Sequence, residues 1–551
     1  MKPTVSDQSQ ASTCADVWLL LGWSGLLLGC SLLQTSLMAH DEGTYAAESR
    51  FMLESGQLLA RQWWGQPTYS HGILLNWLII AGYQVLGVSD RVARLPDILA
   101  CMASVVLTYD IGKILFASQP WPYAKAARQL ALLSGLLLML FSLWAQYGHL
   151  ATQDMLLVSV ELLGIWALLR AEQSRRRRTF GFLAGLSFGL GFLVKTFMIV
   201  LPALALLPYL ILQHRRHRHL ANPGLYAGLL TGIGAVALWL RLSVAEYGDL
   251  VWASMFGKIG ELSEESFHAD GGPFYYLWNI PVNILPWALF AIIGAGMVLR
   301  SLWKPGREAA QQPYPHRWLL LYPFILAALL TTFSTKTPYY TLQLHPFLAF
   351  FSALALYQIA YQKMRWPRLL LSVSFCVLGL IVTALAAIAL LAPLLTSLVP
   401  NLLAEIRPYA PIALILGIGW ALLPAFVNLP QKWLATWLIP VWLTLCGAGL
   451  VGLFGNYSPD LKADLTAPPM APIVSAYPID FITGAEWPPD AHKTFTLLSF
   501  YTPRLGQLNR PVESIRPGTY AWLSPNTAPE QLANRPYEQV GQLRDWQLIR
   551  F

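Results

Sequence analysis

The sequence predicts an α-helical polytopic membrane protein of about thirteen transmembrane helices with a small C-terminal α/β domain outside the bilayer. Three observations carry this prediction. Of 551 residues, 55% are apolar and 12% charged, too little polar surface to cover a soluble globule. Mean hydropathy is +0.48. Apolar runs long enough to cross a bilayer core recur as far as residue 454 and then stop. The formal charge of +8 does not indicate nucleic acid, because the basic residues sit in short clusters between apolar runs, as topology signals do.

The first run, residues 17–38, exceeds the usual core of a cleaved leader and reads as a retained helix. The others fall near residues 94–116, 129–146, 155–171, 180–196, 198–212, 223–243, 277–300, 318–335, 338–360, 369–397, 411–428 and 433–454. With the N-terminus in the cytoplasm, Arg175 to Arg178, Arg215, Arg216, Arg218, Lys304, Arg307, Arg317, Lys363, Arg365, Arg368 and Lys432 all fall on the cytoplasmic side. The opposite short loops carry few basic residues. That asymmetry predicts a plasma (inner) membrane protein whose C-terminus and first loop, residues 40–93, are extracytoplasmic.

Within the first loop, Arg50, Glu54, Gln57 and Arg61 recur at helical spacing and predict one polar helix face. The apolar run 72–86 is too short to span comfortably and predicts a helix lying in the interface. Turn-forming residues after 455 divide the chain into a membrane domain, 1–455, and an extracytoplasmic domain, 456–551, with strand-like alternation at 494–498 and 520–523. Five widely spaced cysteines imply neither a disulfide framework nor a cysteine metal site.

Candidate chemistry gathers on the external side. Asp41 and Glu42 stand where the first run ends, and Asp154 opens a later apolar helix on the same side. Carboxylates at such places either serve chemistry or cap helices. Lys195, inside an apolar run, needs a partner, an aqueous pocket or a route for snorkelling to the interface.

Six elements in order resemble the polyprenyl-phosphate-dependent GT-C glycosyltransferases, in the branch of aminoarabinose transferases and protein O-mannosyltransferases. They are Asp41-Glu42-Gly43-Thr44-Tyr45-Ala46, Gln66-Pro67-Thr68-Tyr69-Ser70-His71-Gly72, Ser89-Asp90-Arg91-Val92-Ala93-Arg94-Leu95-Pro96, and Gly189-Leu190-Gly191-Phe192-Leu193-Val194-Lys195-Thr196. His268-Ala269-Asp270-Gly271-Gly272-Pro273-Phe274-Tyr275-Tyr276 with Leu285-Pro286-Trp287 is the fifth. The sixth is Phe333-Ser334-Thr335-Lys336-Thr337-Pro338-Tyr339-Tyr340 with His345-Pro346. One departure stands out: Ser70-His71-Gly72 occupies the place of an acidic–basic pair in the aminoarabinose transferases.

The resemblance implies an inverting glycosyltransferase that moves a sugar from a polyprenyl-phosphate carrier to an extracytoplasmic glycolipid, glycan or protein. It implies Asp41 as general base and Glu42 and Asp154 as orienting carboxylates. His71, Arg91, Arg94, Lys195, His268, Lys336 and Tyr339 would receive the donor and its lipid phosphate. A divalent cation on Asp41, Glu42, Asp154 and His71 is a further expectation. A transporter or flippase is the competing class. It would show charges at the membrane midplane and repeated halves; no repeat is evident in this sequence.

Overall fold

The computed structural model describes residues 5–118, 126–264, 272–303, 316–361, 365–391, 405–484, 489–525, 527, 532 and 535–551. It is a helical bundle closed at one end by the first loop and a five-stranded sheet. Among the described residues, eight helices are long and apolar enough to cross a membrane, or nine if a pair bent by 118° at residues 284–287 is one span. That is fewer than the thirteen expected. Ala127–Leu138 and Arg317–Thr331 are helices, but of 12 and 15 residues. The stretch Arg177–Leu212, counted as one of those eight, turns back on itself. A short 3-10 turn at Thr196–Ile199 separates two helices, and Arg177 donates to the carbonyl of His217 forty residues later. A straight helix of that length would hold these ends roughly 60 Å apart, so Lys195 sits at the tip of a hairpin.

Close helix packing explains the glycines of this region. Added Cβ atoms at Gly185 and Gly228 would meet backbone atoms of the facing helix at 2.0 and 1.9 Å. Small residues let two helices approach without a side chain between them.

The first loop opens with a helix at Asp41–Ser55 and continues through a two-stranded hairpin, Arg61–Trp63 paired with Gln66–Thr68, to a second helix at Leu74–Leu86. The expected polar face running from Arg50 to Arg61 does not form. Gly56 takes a left-handed conformation (φ 71°) and ends the first helix, so Arg61 belongs to a strand. Asn76 and Tyr83 of the second helix donate to the Tyr45 and Ala46 carbonyls of the first, locking the two together.

The C-terminal sheet has the strand order Leu505–Leu508, Ile479–Ile482, Tyr520–Leu523, Trp546–Arg550, Glu538–Leu543. The first three strands are parallel and the last two join antiparallel. The Pro489–Tyr501 helix makes the crossover between the 479–482 and 505–508 strands. This unit shares one apolar core with the first loop: Phe51, Trp63 and Trp64 pack against Phe481 and Phe495. Arg50 adds three hydrogen bonds, to the carbonyls of Phe500, Thr502 and Pro503.

At the junction lies a fully buried ion pair. Arg94 Nε and Nη2 donate to the two Glu42 oxygens at 2.6 and 2.9 Å, and the guanidinium also donates to the carbonyls of Gly455 and Ser36. Glu42 further accepts from the backbone N–H groups of Met38 and Ala151. Four chain segments, at residues 36–42, 94, 151 and 455, therefore converge on two side chains. Removing one partner strands the other charge in a dry site, so Arg94→Met should cost about 3–5 kcal/mol of stability. Glu42→Gln combined with Arg94→Met should recover part of that loss in thermal unfolding of the detergent-solubilised protein.

Candidate functional site

The 41–55 helix, the start of the 153–173 helix, the 177–195/200–212 hairpin tip and the segment 333–345 meet at the same end of the bundle as the sheet. Gly72 shows how tightly: a Cβ there would lie 2.4 Å from the carbonyl oxygens of both Leu193 and Val194. Gln153 Nε2 donates to the Gly72 carbonyl at 2.7 Å. Absence of a side chain at residue 72 thus brings His71 to the hairpin tip that carries Lys195.

Lys195 Nζ bonds Asp154 Oδ1 at 2.5 Å, with both side chains largely buried. The ammonium also lies 4.9 and 5.3 Å from the ring centroids of Tyr339 and Tyr340, a cation–π cradle. Tyr147 packs on Tyr339 at 5.5 Å. Asp154 does not cap its helix; Thr152 holds the N-cap position, and the carboxylate is spent on Lys195.

Asp41 is exposed at the first turn of its helix and forms no ion pair among the described residues. Its charge nevertheless acts on Tyr45, Tyr147, Asp154, Lys195 and Tyr339. Burial first, then Asp41, pushes the Tyr45 phenol well above its ordinary range. Burial and Asp154 do the same for Tyr147. Both hydroxyls therefore stay protonated at neutral pH.

His71 is half-buried. Its Nδ1 lies 3.0 Å from Ser70 Oγ and 3.3 Å from Arg61 Nη2, while Arg61 pairs with Glu48 at 2.9 Å. Burial raises the Glu48 carboxyl, against which the Arg61 charge acts to lower it.

Other expected site residues are placed elsewhere. Glu42 and Arg94 hold each other in the junction described above, their polar atoms consumed by that contact. Arg91 is exposed, donates to the Leu33 carbonyl and lines a groove of about 340 Å³ with Gln34, Asn456 and Lys462. Lys336 is buried but donates to the carbonyl of Phe333, three residues back in its own loop. His268 lies outside the described residues. The expected cation set also fails to converge: among the described residues, no three His, Cys, Asp or Glu side chains form a group able to hold a metal ion. Glu42 and Asp154 are already paired with Arg94 and Lys195, and His71 is engaged by Ser70 and Arg61.

Sequence reasoning missed Tyr147, Tyr340, Glu48 and Asp97 as neighbours of the site. Asp97 is fully buried, neither carboxyl oxygen meets full hydrogen-bond geometry, and the backbone N–H groups of Thr152 and Leu156 are the donors that lie toward it. A lone acid just after Pro96 in an apolar run was the available signal for it. Tyr147, Tyr340 and Glu48 had no local signal.

Comparison with known proteins finds similarity in both sequence and fold. Residues 70–240 match the family model described as dolichyl-phosphate-mannose-protein mannosyltransferase. An undecaprenyl phosphate-alpha-4-amino-4-deoxy-L-arabinose arabinosyl transferase of Pseudomonas fluorescens is 30% identical over 328 residues, 58% of this chain and 53% of the relative. One from Pseudomonas aeruginosa is 30% identical over 322 residues, 57% and 54% of the two chains. The chain thus matches about half the length of these curated relatives. ArnT from Cupriavidus metallidurans bound to undecaprenyl phosphate superimposes with a TM-score of 0.69 at 19% identity, covering 97% of each chain. Its apo form gives 0.68 at 17% identity, covering 98% of each. The fold is that of ArnT, and the resemblance to aminoarabinose-transferase-like GT-C proteins holds in both sequence and fold.

The contact at Gly72 makes a sharp expectation. Gly72→Ala should cost about 1–3 kcal/mol through overpacking and separate the His71 loop from the hairpin tip. Thermal unfolding and donor binding, measured on the same preparation, should fall together.

Proposed function

We propose that this chain transfers a sugar from a polyprenyl-phosphate carrier to an acceptor hydroxyl on the external face of the membrane, with Asp41 as general base. The observation that carries the reading is an exposed carboxylate beside a sequestered cation: Asp41 forms no ion pair among the described residues, while Lys195 is fixed by Asp154 between two tyrosines. An attacking alcohol needs a base in contact with it, and a departing lipid phosphate needs positive charge.

In the reaction, the acceptor oxygen attacks the anomeric carbon as Asp41 takes its proton. The bond from that carbon to the phosphate oxygen breaks, and the electron pair leaves with the lipid phosphate. Attack opposite the leaving group inverts the anomeric centre. Lys195 meets the charge growing on the phosphate, and Asp154 holds the ammonium in place. The neighbouring tyrosines exclude water and offer neutral hydroxyls to sugar or phosphate. Glu42 and Arg94 support the site by fixing the helix on which Asp41 stands. No step is routed through a metal ion, since two of the three carboxylates expected to hold one, Glu42 and Asp154, are paired with Arg94 and Lys195.

Similarity to the aminoarabinose transferases favours an undecaprenyl-type carrier and a glycolipid or other envelope glycan as acceptor. The family-model match over residues 70–240 favours a protein hydroxyl as the second reading. In either case the distribution of basic loops favours an N-terminus in the cytoplasm and a site outside. The C-terminal sheet, packed on the first loop, then lies outside as well.

Asp41→Asn should lower transfer by about 10²- to 10⁴-fold with donor binding retained; near-normal turnover would remove Asp41 from the base role. Lys195→Met should weaken donor binding by roughly 10- to 100-fold, the loss of a hydrogen bond to a charged group. Mass spectrometry of the lipid-linked sugars that accumulate in membranes lacking the protein identifies the donor.

A further inference from the structure

Three membrane spans end around one groove, and its wall carries a guanidinium with no acidic partner among the described residues. We infer that this groove binds the phosphate of an anionic bilayer lipid, on the side of the membrane that carries the C-terminal sheet. It shares no residue with the Lys195 site, and the inference does not require the transferase reading.

Depth is set by the spans. The groove, of about 340 Å³, runs between residues 33–35 and one face of the Pro459–Thr466 helix, with Arg91 and Asn456 between them. Leu33 follows the span that ends at Cys30, Arg91 stands in the first turn of the span Asp90–Ala117, and Asn456 follows the span that ends at Leu450. Ends of spans mark the level at which hydrocarbon gives way to head groups. Leu33 is 65% exposed, an apolar wall beside polar ones, which suits a molecule with a charged head and apolar chains.

The charge left over is positive. Arg91 is exposed, and among the described residues its guanidinium gives one hydrogen bond, at 3.3 Å to the Leu33 carbonyl. Asp90 does not cancel it. That buried carboxylate accepts the Arg91 backbone N–H on one oxygen, and Lys462 Nζ and the Tyr501 hydroxyl on the other. Lys462 is fixed there, at 2.6 Å from Asp90 and 2.7 Å from the Thr35 carbonyl. Lys462 and Asp90 balance each other, so Arg91 carries the net charge of the groove. Thr35 adds a second sign of a missing partner. It lines the same groove and is buried, yet its hydroxyl finds no hydrogen-bond partner among the described residues.

A guanidinium matches the oxygens of a phosphate as a planar fork. Its chains confine a lipid phosphate to the depth of the span ends, so its effective concentration there exceeds that of a dissolved anion. The frame that would receive it is already built: Ser36 Oγ donates to Asn456 Oδ1 at 2.7 Å and accepts from the Ser458 N–H at 2.7 Å. Arg94, one turn beyond Arg91, is turned inward to Glu42. The start of one helix thus gives one guanidinium to the fold and another to the groove. A lipid seated here bridges the spans to the 459–466 helix, which leads into the C-terminal sheet, and so braces that sheet on the bilayer.

The test uses the full-length protein in neutral detergent, with fluorescent phosphatidylglycerol as probe and thermal unfolding as a check on folding. Wild type should bind the probe about fivefold more tightly than fluorescent phosphatidylcholine, the selectivity of one interfacial cation. Arg91→Gln, and Gln34→Glu, which sets a competing carboxylate in the groove, are both at exposed positions. Each should weaken binding roughly 5- to 10-fold, with lipid-free unfolding at the wild-type temperature. Lys195→Met should leave probe affinity within about twofold of wild type, and millimolar glycerol phosphate should not displace the probe. In a measurement that needs no variant, photoactivatable phosphatidylglycerol should label residues 33–35, 91 or 456–466 of the wild-type chain.

Wild-type affinity in both groove variants, equal binding of the two lipids, or labelling confined to other residues overturns the inference. Loss of the probe in Lys195→Met, which assigns it to the site of that lysine, or its displacement by glycerol phosphate, which assigns the groove to a dissolved anion, also overturns it. Selective binding by a chain that transfers no sugar supports the groove while removing the transferase reading.

Discussion

Charge in a dry place must be paired, and that requirement organises the functional end of this molecule. Glu42 with Arg94, Glu48 with Arg61, and Asp154 with Lys195 are three largely buried ion pairs, each joining two different elements. An isolated ion at such depth would cost several kcal/mol. Each pair therefore acts as a geometric constraint as much as a source of stability. Together they fix the first-loop helix, the hairpin tip and the junction with the sheet.

Pairing also sorts the charged residues by what remains available for chemistry. Glu42 and Arg94 spend all their polar atoms on one another and on backbone groups. Asp154 is spent on Lys195, whose ammonium lies over the Tyr339 and Tyr340 rings. Asp41, one residue before Glu42, is on the exposed side of the same helical turn. Adjacent residues on a helix point about 100° apart, so one acid of the pair braces the fold while its neighbour keeps a carboxylate in the open.

The C-terminal sheet belongs to this arrangement. Its aromatic residues share a core with the first loop, and Arg50 of the first helix binds three of its carbonyls. The Asp41 helix is thus held at two points along its length, by Arg94 at Glu42 and by the C-terminal unit at Arg50. A carboxylate on so constrained a helix presents one geometry to an incoming hydroxyl, which lowers the ordering cost of reaction.

The sequence by itself determined the bulk architecture. Hydropathy runs are set by bilayer thickness, basic clusters follow topology, and the acids at 41, 42 and 154 stood out because charge is rare at a membrane exit. Family elements in order pointed to the chemistry. Periodicity misled at Arg61, where Gly56 ends the helix early and passes the residue to a strand. What only tertiary structure decided was which charge meets which: that Glu42 and Arg94 neutralise each other, that Lys195 turns to Asp154, and that Arg61 reaches His71. Local sequence encodes the cost of burying each ion. The identity of its partner depends on distances between segments that lie 10 to 52 residues apart in the chain, and folding alone sets those distances.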